Sequence, residues 1–241
     1  MFTQSAEFYD VIYSWKDYAT EAELVRRYID ANKRTPGTTL LDVACGTGHH
    51  AQYLLEFYQV EGLDLDAELL RVARGRCPGV TFHQADMVDF DLNRQFDAVT
   101  CLFSAIGYAK TVERLNQTMQ TIARHLLPGG VAIVEPWLMP GQYIPRNVHA
   151  RFVDLPDLKI ARINTSKEED GVSILDFHYL VGTPDGVESF TEHHELGLFD
   201  DAQYRAAFAA AALEVYFDAE GLDGRGMYIG VKPISQPVSP V

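Results

Sequence analysis

The sequence predicts an α/β fold: a mostly parallel sheet covered by helices on both faces, with an antiparallel β insert late in the chain. Three observations predict it. Short apolar runs alternate with amphipathic segments between residues 40 and 135. A glycine turn, Gly46-Thr47-Gly48, separates the first such run from the first such helix. After about residue 140, runs of β-like composition follow one another with polar turns between them. Parallel neighbours need crossover connections, so strand–helix alternation through short loops is the mark of a parallel sheet.

Residues 1–35 read as helical and aromatic. Phe8, Tyr9, Ile12 and Tyr13 come first, then Ala22, Leu24, Val25, Tyr28 and Ile29 at helical spacing, before Pro36-Gly37 ends the segment. Leu40–Val43 reads as a strand, Gly48–Phe57 as a helix, Val60–Leu65 as a strand and Asp66–Arg76 as a helix. Val80–His83 and Phe96–Leu102 are further strands. Val112–Leu127 is a helix stopped by Pro128-Gly129-Gly130, and Val131–Glu135 is the next strand. Phe152–Val153, Leu158–Thr165, Val172–Val181 and Ser189–Leu198 form the insert, with turns at Glu169-Asp170-Gly171 and Pro184-Asp185-Gly186. Asp200–Ala212 returns to helix with Asp200 as N-cap, and Leu213–Phe217 and Met227–Val231 close the sheet. One domain is expected over residues 1–232, with a helical lid at 1–35 and the insert at about 145–198. Residues 233–241, rich in Pro and Ser, are expected to form a flexible tail.

The 241 residues are 47% hydrophobic and 22% charged, the balance of a soluble globular protein. No apolar run approaches the ~18 residues of a bilayer span, and the first residues lack the features of a secretion signal. A cytoplasmic location is expected. The net charge of −14 argues against a nucleic-acid polymer as partner, since phosphate neutralisation needs Lys and Arg. A small phosphorylated substrate needs only one or two local Arg side chains. Cys45, Cys77 and Cys101 are an odd set without metal-ligand spacing and read as reduced thiols; no metal site is predicted.

A glycine turn after a strand serves two ligand classes. One is a dinucleotide, whose pyrophosphate sits on the helix N-terminus; Gly46, Gly48 and Ala51 satisfy G-x-G-x-x-A. The other is S-adenosylmethionine. The acids decide. Asp42 at the end of the first strand repels a pyrophosphate but suits a ligand with an ammonium and a sulfonium. Asp64 ends the second strand, where an acid accepts from ribose hydroxyls. Asp86 follows the third strand, beside apolar Met87, where it can accept from the adenine amino group. Taken singly, Asp64 reads equally well as a helix N-cap. Ala44, Leu65, Leu102 and Phe103, at the same strand ends, complete the expected cofactor set.

DVACGTG, GLDLD, FDAV and the PGG–EPW stretch, all within residues 38–137, resemble the successive motifs of class I (Rossmann-like) methyltransferases. That resemblance implies a seven-stranded sheet with its last strand antiparallel. FYDVIY, KDY, VEPW and GRG extend the likeness over nearly the whole chain. They resemble the N,N-dimethyltransferases of nucleotide-linked deoxyamino sugars, the desosamine and mycaminose enzymes of macrolide antibiotic pathways. The resemblance implies S-adenosyl-L-methionine as cofactor, a dTDP-amino sugar as acceptor and a homodimer formed through the insert. Where those enzymes show Ile-Gly-His, with the histidine an active-site residue, this chain has Ile106-Gly107-Tyr108.

Roles follow for the remaining candidates. Tyr108 and Tyr13 are the catalytic candidates; a phenol with pKa near 10 is a poor base at neutral pH unless its surroundings change it. Tyr18, the KDY tyrosine, either contacts the methionine end of the cofactor or packs the lid. Phe103 and Ser104 lie over the expected methyl-donor position, with Ser104 facing the acceptor. Trp137 stacks on an acceptor ring or fills a core edge. Arg225 and Arg151 are candidate phosphate clamps. His193 and His194 point to opposite faces of a strand, and His193 is placed at the acceptor. His125 is read as a helix C-terminal residue favoured by the dipole. Another amine, a peptide N-terminus or a hydroxyl is the alternative acceptor. A nicotinamide-dependent oxidoreductase and a non-catalytic cofactor-binding module are the alternatives of other classes.

Overall fold

Successive residues of the central strands bury into opposite layers in the computed structural model, which describes residues 4–234. Leu40 and Leu41 of β1 (Thr39–Val43) are both fully buried. Leu40 packs with α2 (Tyr18–Asn32), α3 (His49–Leu54) and α4 (Ala67–Arg76). Leu41 packs with α5 (Val112–Arg124) and α6 (Asp201–Ala210). A strand buried on both faces must be apolar at consecutive positions, which is why these strands read as continuous runs.

The large sheet runs β10 (Glu214–Asp218), β11 (Met227–Val231), β5 (Leu126–Val134), β4 (Phe96–Cys101), β1, β2 (Gln59–Asp64) and β3 (Thr81–Gln84). β11 is antiparallel to both neighbours, and the pairings of β5, β4, β1, β2 and β3 are parallel. The order reverses between β1 and β4, so the crevice for a ligand opens there at the carboxyl ends.

The insert is a second, four-stranded antiparallel sheet: β6 (Val148–Leu155), β7 (Leu158–Glu169), β8 (Val172–Thr183) and β9 (Gly186–Gly197). Its alternation is regular. Ile160, Arg162, Tyr179, Val181, Glu192 and His194 are buried on the inner face. Phe152, Ile163, Leu180 and Val187 are exposed on the outer one. The inner face packs on Ile12 of α1 (Tyr9–Ile12), on Tyr13 and on Trp137. Gly107, in the 3₁₀ turn Ala105–Ala109, permits the docking: a Cβ there would lie 3.0 Å from Leu196 and 3.1 Å from Trp137.

Several boundaries differ from those expected. α5 ends at Arg124, and Pro128-Gly129-Gly130 fall inside β5 rather than after a helix. The cause is a bulge: β4 pairs Phe96 with Leu126 but Ala98 with Val131, so the extra residues loop out and Gly129 pairs with Lys232. α3 stops at Leu54 and a turn replaces its expected last residues. β6 is longer than Phe152–Val153 because an exposed edge strand pairs through its backbone without needing an apolar pattern. His125 is a buried, neutral C-cap: Nδ1 donates to the Thr121 carbonyl and Nε2 accepts from Leu92 N–H, with burial lowering its pKa. No dipole-favoured cation forms there. Asp200 caps α6 in a full capping box with Gln203. The tail expected from residue 233 lies, beyond Ile234, outside the described residues.

Candidate active site

Each acid at a strand end is held by the backbone that follows it. Asp64, at the end of β2, accepts Gly46 N–H at 2.8 Å on one oxygen and Asp66 N–H at 2.9 Å on the other. The N-cap of α4 is Asp66, bonded to Glu68 N and Leu69 N, so Asp64 is free of the capping role. Gly46 has φ +55, a left-handed conformation that favours glycine, and a Cβ there would meet nothing within 4 Å. Asp42, 2% exposed, accepts from Thr100 Oγ1 at 2.8 Å. Burial raises its pKa to about 6, against the lowering effects of His50 and Thr100, while Asp64 adds to the rise. Asp86 accepts from Val88 N and from Arg114.

Two cavities share Ala44 and Gly46. The larger is lined by Asp64, Leu65, Asp86, Met87 and Tyr108, with His193 at its mouth. The smaller is lined by Tyr9, Tyr18, Asp42, His50, Leu102 and Phe103. Tyr18 stacks on His49 with ring centres 4.3 Å apart, and among the described residues its buried hydroxyl has no hydrogen-bond partner. A buried hydroxyl left so is a place for a ligand's polar group. The smaller cavity is closed by the N-terminal segment: Asp10 bonds Thr47 Oγ1 at 2.8 Å and pairs with His49 and Arg76.

Beyond Phe103 the chain makes a strained turn, with φ +52 at Phe103 and +61 at Ser104. Three contacts hold it. Phe103 N–H donates to Glu135 at 2.6 Å, Ser104 Oγ donates to the Pro136 carbonyl at 2.8 Å, and Arg225 donates to Ser104 Oγ at 2.9 Å. Lys16 lies 4.2 Å over the Phe103 ring, and the Tyr13 ring meets it edge-on at 5.2 Å.

The structure separates the expected residues into groups. It gathers Tyr18, Asp42, Ala44, Gly46, Asp64, Leu65, Asp86, Met87, Leu102, Phe103 and Tyr108 around the joined cavities. Gly48 packs on Ala73 of α4. Ser104 is buried and bonded on both sides, so it braces the turn instead of facing an acceptor. Arg225 is no open clamp: it is paired with Asp223 and lies 3.6 Å from Glu135. Trp137 packs its ring at the insert and donates Nε1–H to Ser173 at 2.9 Å. His193 is exposed and bound to Asp176 and Glu195, while His194 points inward to Tyr108.

Glu135 and Arg162 escaped the sequence reading, and His194 was named there only as the opposite-facing neighbour of His193. Glu135 is 1% exposed and its pKa is raised by burial, opposed by Arg225. His194 and Arg162 lie on the insert's inner face. Arg162 is 8% exposed, donates to Tyr13 Oη at 3.0 Å, and has no carboxylate within ion-pair distance among the described residues. Arg151 is its register partner across β6 and β7 and lies over the Trp15 ring at 4.9 Å, likewise without a carboxylate. Strand alternation alone pointed to one of the two histidines. Nothing local marked the pairing of the two arginines.

The methyltransferase-domain family matches residues 40–130. The chain is 42% identical to dTDP-3-amino-3,4,6-trideoxy-alpha-D-glucopyranose N,N-dimethyltransferase of Streptomyces venezuelae, over 94% of this chain and 97% of that one. It is 36% identical to dTDP-4-amino-2,3,4,6-tetradeoxy-D-glucose N,N-dimethyltransferase of Saccharopolyspora spinosa, over 94% and 92%. Its fold superposes on the crystal structure of Streptomyces venezuelae DesVI with a TM-score of 0.89 at 39% identity, covering 95% of this chain and 98% of that one. It also superposes on S-adenosylmethionine-bound CalS10, an amino pentose methyltransferase from Micromonospora echinaspora, with a TM-score of 0.84 at 36% identity, covering 93% and 96%.

The brace around Ser104 has a measurable weight. Arg225→Ala leaves Glu135 buried without its cation, which costs about 3 kcal/mol. Calorimetry should show a melting temperature lower by roughly 6–12 °C. An unchanged melting temperature would show that the brace carries no stability.

Proposed function

We propose, from the premise that the chain belongs to the S-adenosylmethionine-dependent methyltransferase family that includes the dTDP-amino-sugar N,N-dimethyltransferases, that it methylates the amino nitrogen of a nucleotide-linked deoxyamino sugar. One observation carries this acceptor. Arg151 and Arg162 stand directly opposite each other on the inner face of the insert, without an acid in ion-pair range among the described residues, in a chain of net charge −14. Like charges directly opposite across strands are destabilising, and a guanidinium pair is well shaped for phosphate oxygens. A pyrophosphate there neutralises both. Tyr13 spans from Arg162 to Phe103, so a sugar between them reaches the donor end of the cleft.

Bound S-adenosylmethionine supplies a methyl carbon on a positively charged sulfur. Asp42 and Tyr18 would hold its methionine end, Asp64 the ribose, and Asp86 with Met87 the adenine. The chain's part is then positioning: an acceptor nitrogen about 3 Å from the methyl carbon, in line with the sulfur. Phe103 and Tyr13 keep water from that line. We further infer a homodimer through the insert, because Phe152 and Val187 are 73% and 72% exposed on one face with Ile163 and Leu180. An apolar patch of this kind marks an interface. Phe152→Asp should convert the dimer to monomer in sedimentation velocity; a monomeric unaltered protein would refute the interface.

Turnover of a dTDP-linked amino sugar tests the acceptor. Arg151→Ala and Arg162→Ala should each raise KM for the nucleotide-linked sugar about tenfold or more, leave KM for the free sugar unchanged, and spare donor affinity. Equal KM effects on linked and free sugar would remove the arginines from the phosphate role.

Asp42 makes donor binding pH-dependent. Its folded pKa is raised, so ionising it costs stability as pH rises from about 4 through about 6. A bound ammonium favours the ionised form, so affinity is full above pH 6 and falls below it. Calorimetric titration with S-adenosylhomocysteine should show Kd weakening by up to about tenfold per pH unit below 6. Asp42→Asn should flatten that dependence, and a flat profile in the unaltered protein would exclude Asp42 from the ammonium site.

A further inference from the structure

We propose that His194 and Glu192, on the inner face of the insert, receive the proton that the acceptor nitrogen gives up, through the hydroxyl of Tyr108. The proposal rests on the reading that the acceptor is an amine. Tyr108 lines the larger cavity together with Gly46 and Asp64. Its Oη lies 2.8 Å from His194 Nδ1. His194 Nε2 lies 3.7 Å from Glu192 Oε2. Both residues behind Tyr108 are buried, His194 at 1% and Glu192 at 5% exposure.

The direction of the hydrogen bonds follows from Glu192. It accepts Gln4 N–H at 3.2 Å, Ser5 N–H at 3.0 Å and Ser5 Oγ–H at 2.7 Å. Three donors aimed at one carboxyl favour the ionised form. Burial alone would raise its pKa, but the neighbouring His194 and the bonds from Ser5 prevail and the net shift is downward. An anion beside Nε2 keeps the ring proton of neutral His194 on that nitrogen. Nδ1 is then the acceptor, and Tyr108 Oη–H donates to it. The oxygen lone pairs of Tyr108 are left facing the cleft, where a protonated amine can donate to them.

The transfer balances without an ionised phenol. An N–H bond of the acceptor ammonium breaks toward Tyr108 Oη as the phenol's own proton passes to His194 Nδ1. The imidazolium that forms faces Glu192. The freed nitrogen lone pair bonds the methyl carbon, and the C–S bond breaks with its electron pair left on sulfur. One proton is released per methyl transferred, and the imidazolium passes it to water before the next turnover. Burial raises the Tyr108 pKa well above 10, so a phenolate is not available, and burial lowers that of His194, so the ring starts neutral. The titratable and charged groups around the pair include Glu192 and His193 of β9, Tyr179 of β8, Tyr9 and Tyr13 of the lid, Asp64 across the cleft, and the terminal ammonium, whose charge helps to keep His194 neutral. Gln4 and Ser5 belong to the N-terminal segment, so the relay is complete only with that segment docked.

The test uses the whole enzyme with a dTDP-linked amino sugar. His194→Asn keeps an oxygen near the place of Nδ1 but cannot take a proton. Its kcat should fall about 100-fold with KM for the donor unchanged, the range for loss of a proton acceptor. The acid limb of kcat against pH should disappear. Tyr108→Phe should fall to the same level, and the double variant no further, because the two act as one unit. Unchanged kcat in His194→Asn, a fall that preserves the pH profile, or additive losses in the double variant would each overturn the relay. If His194→Asn does not fold, the pH profile of Tyr108→Phe decides by the same criterion. An unaltered enzyme that ignores amino sugars but methylates another amine overturns the acceptor reading alone, and the relay is then measured on that amine. An enzyme that methylates no amine overturns both.

Discussion

Asp64 is the joint on which the cleft turns. Its two oxygens accept the N–H groups of Gly46 and Asp66, so one carboxylate fixes the glycine turn after β1 and the turn into α4 at once. Both loops sit at the carboxyl edge, on adjacent parallel strands paired from Thr39–Gln59 to Val43–Leu63. The register and the carboxylate are therefore the same constraint seen twice. The glycine loop is held by an acid that itself lines the larger cavity. Burial raises the Asp64 pKa while the backbone N–H groups oppose the rise, so the group sits under electrostatic tension that donors on a ligand would relieve.

The same economy recurs at the other end of the site. Glu135 closes β5 and holds Phe103 N–H; Arg225, paired with Asp223 in the loop before β11, reaches Ser104. Two residues with positive φ would not persist in an unbraced turn. Their strain places the Phe103 ring between Lys16 and Tyr13, at the boundary of donor and acceptor. The insert then lies over this boundary, bringing Arg162 to Tyr13 and His194 to Tyr108. The small sheet therefore lies against the cleft with its inner face, while Phe152 and Val187 stay exposed on its outer one.

The family likeness and the site geometry bear on different questions. The relatives establish a methyltransferase fold and its cofactor. This chain's own side chains bear on the acceptor: an arginine pair with no carboxylate partner among the described residues, and a phenol, an imidazole and a carboxylate in series. Tyr108 alone is a poor base, but a phenol that hands its proton to a buried imidazole need never be charged.

Much of the fold and of the cofactor half was legible in the sequence. The strand runs, the glycine turn and the acids at strand ends are local patterns, and Asp42, Asp64 and Asp86 project from consecutive strands whose order follows from short right-handed crossovers. Boundaries failed where pairing overrode local pattern, as at the bulge that draws Pro128-Gly129-Gly130 into β5. The acceptor half was not legible. Ser104 and Arg225 looked open because their partners, Pro136, Glu135 and Asp223, are set by the packing of three separate loops. Arg151 and Arg162 meet only through the β6–β7 register. The choice of His194 over His193 depends on which face of the insert docks on the large sheet. The sequence by itself determined which residues line the cleft at the strand ends, because they follow one another along those strands. The tertiary structure decided which side chains of the insert meet the cleft, because that depends on cross-strand register and on the docking of one sheet on another.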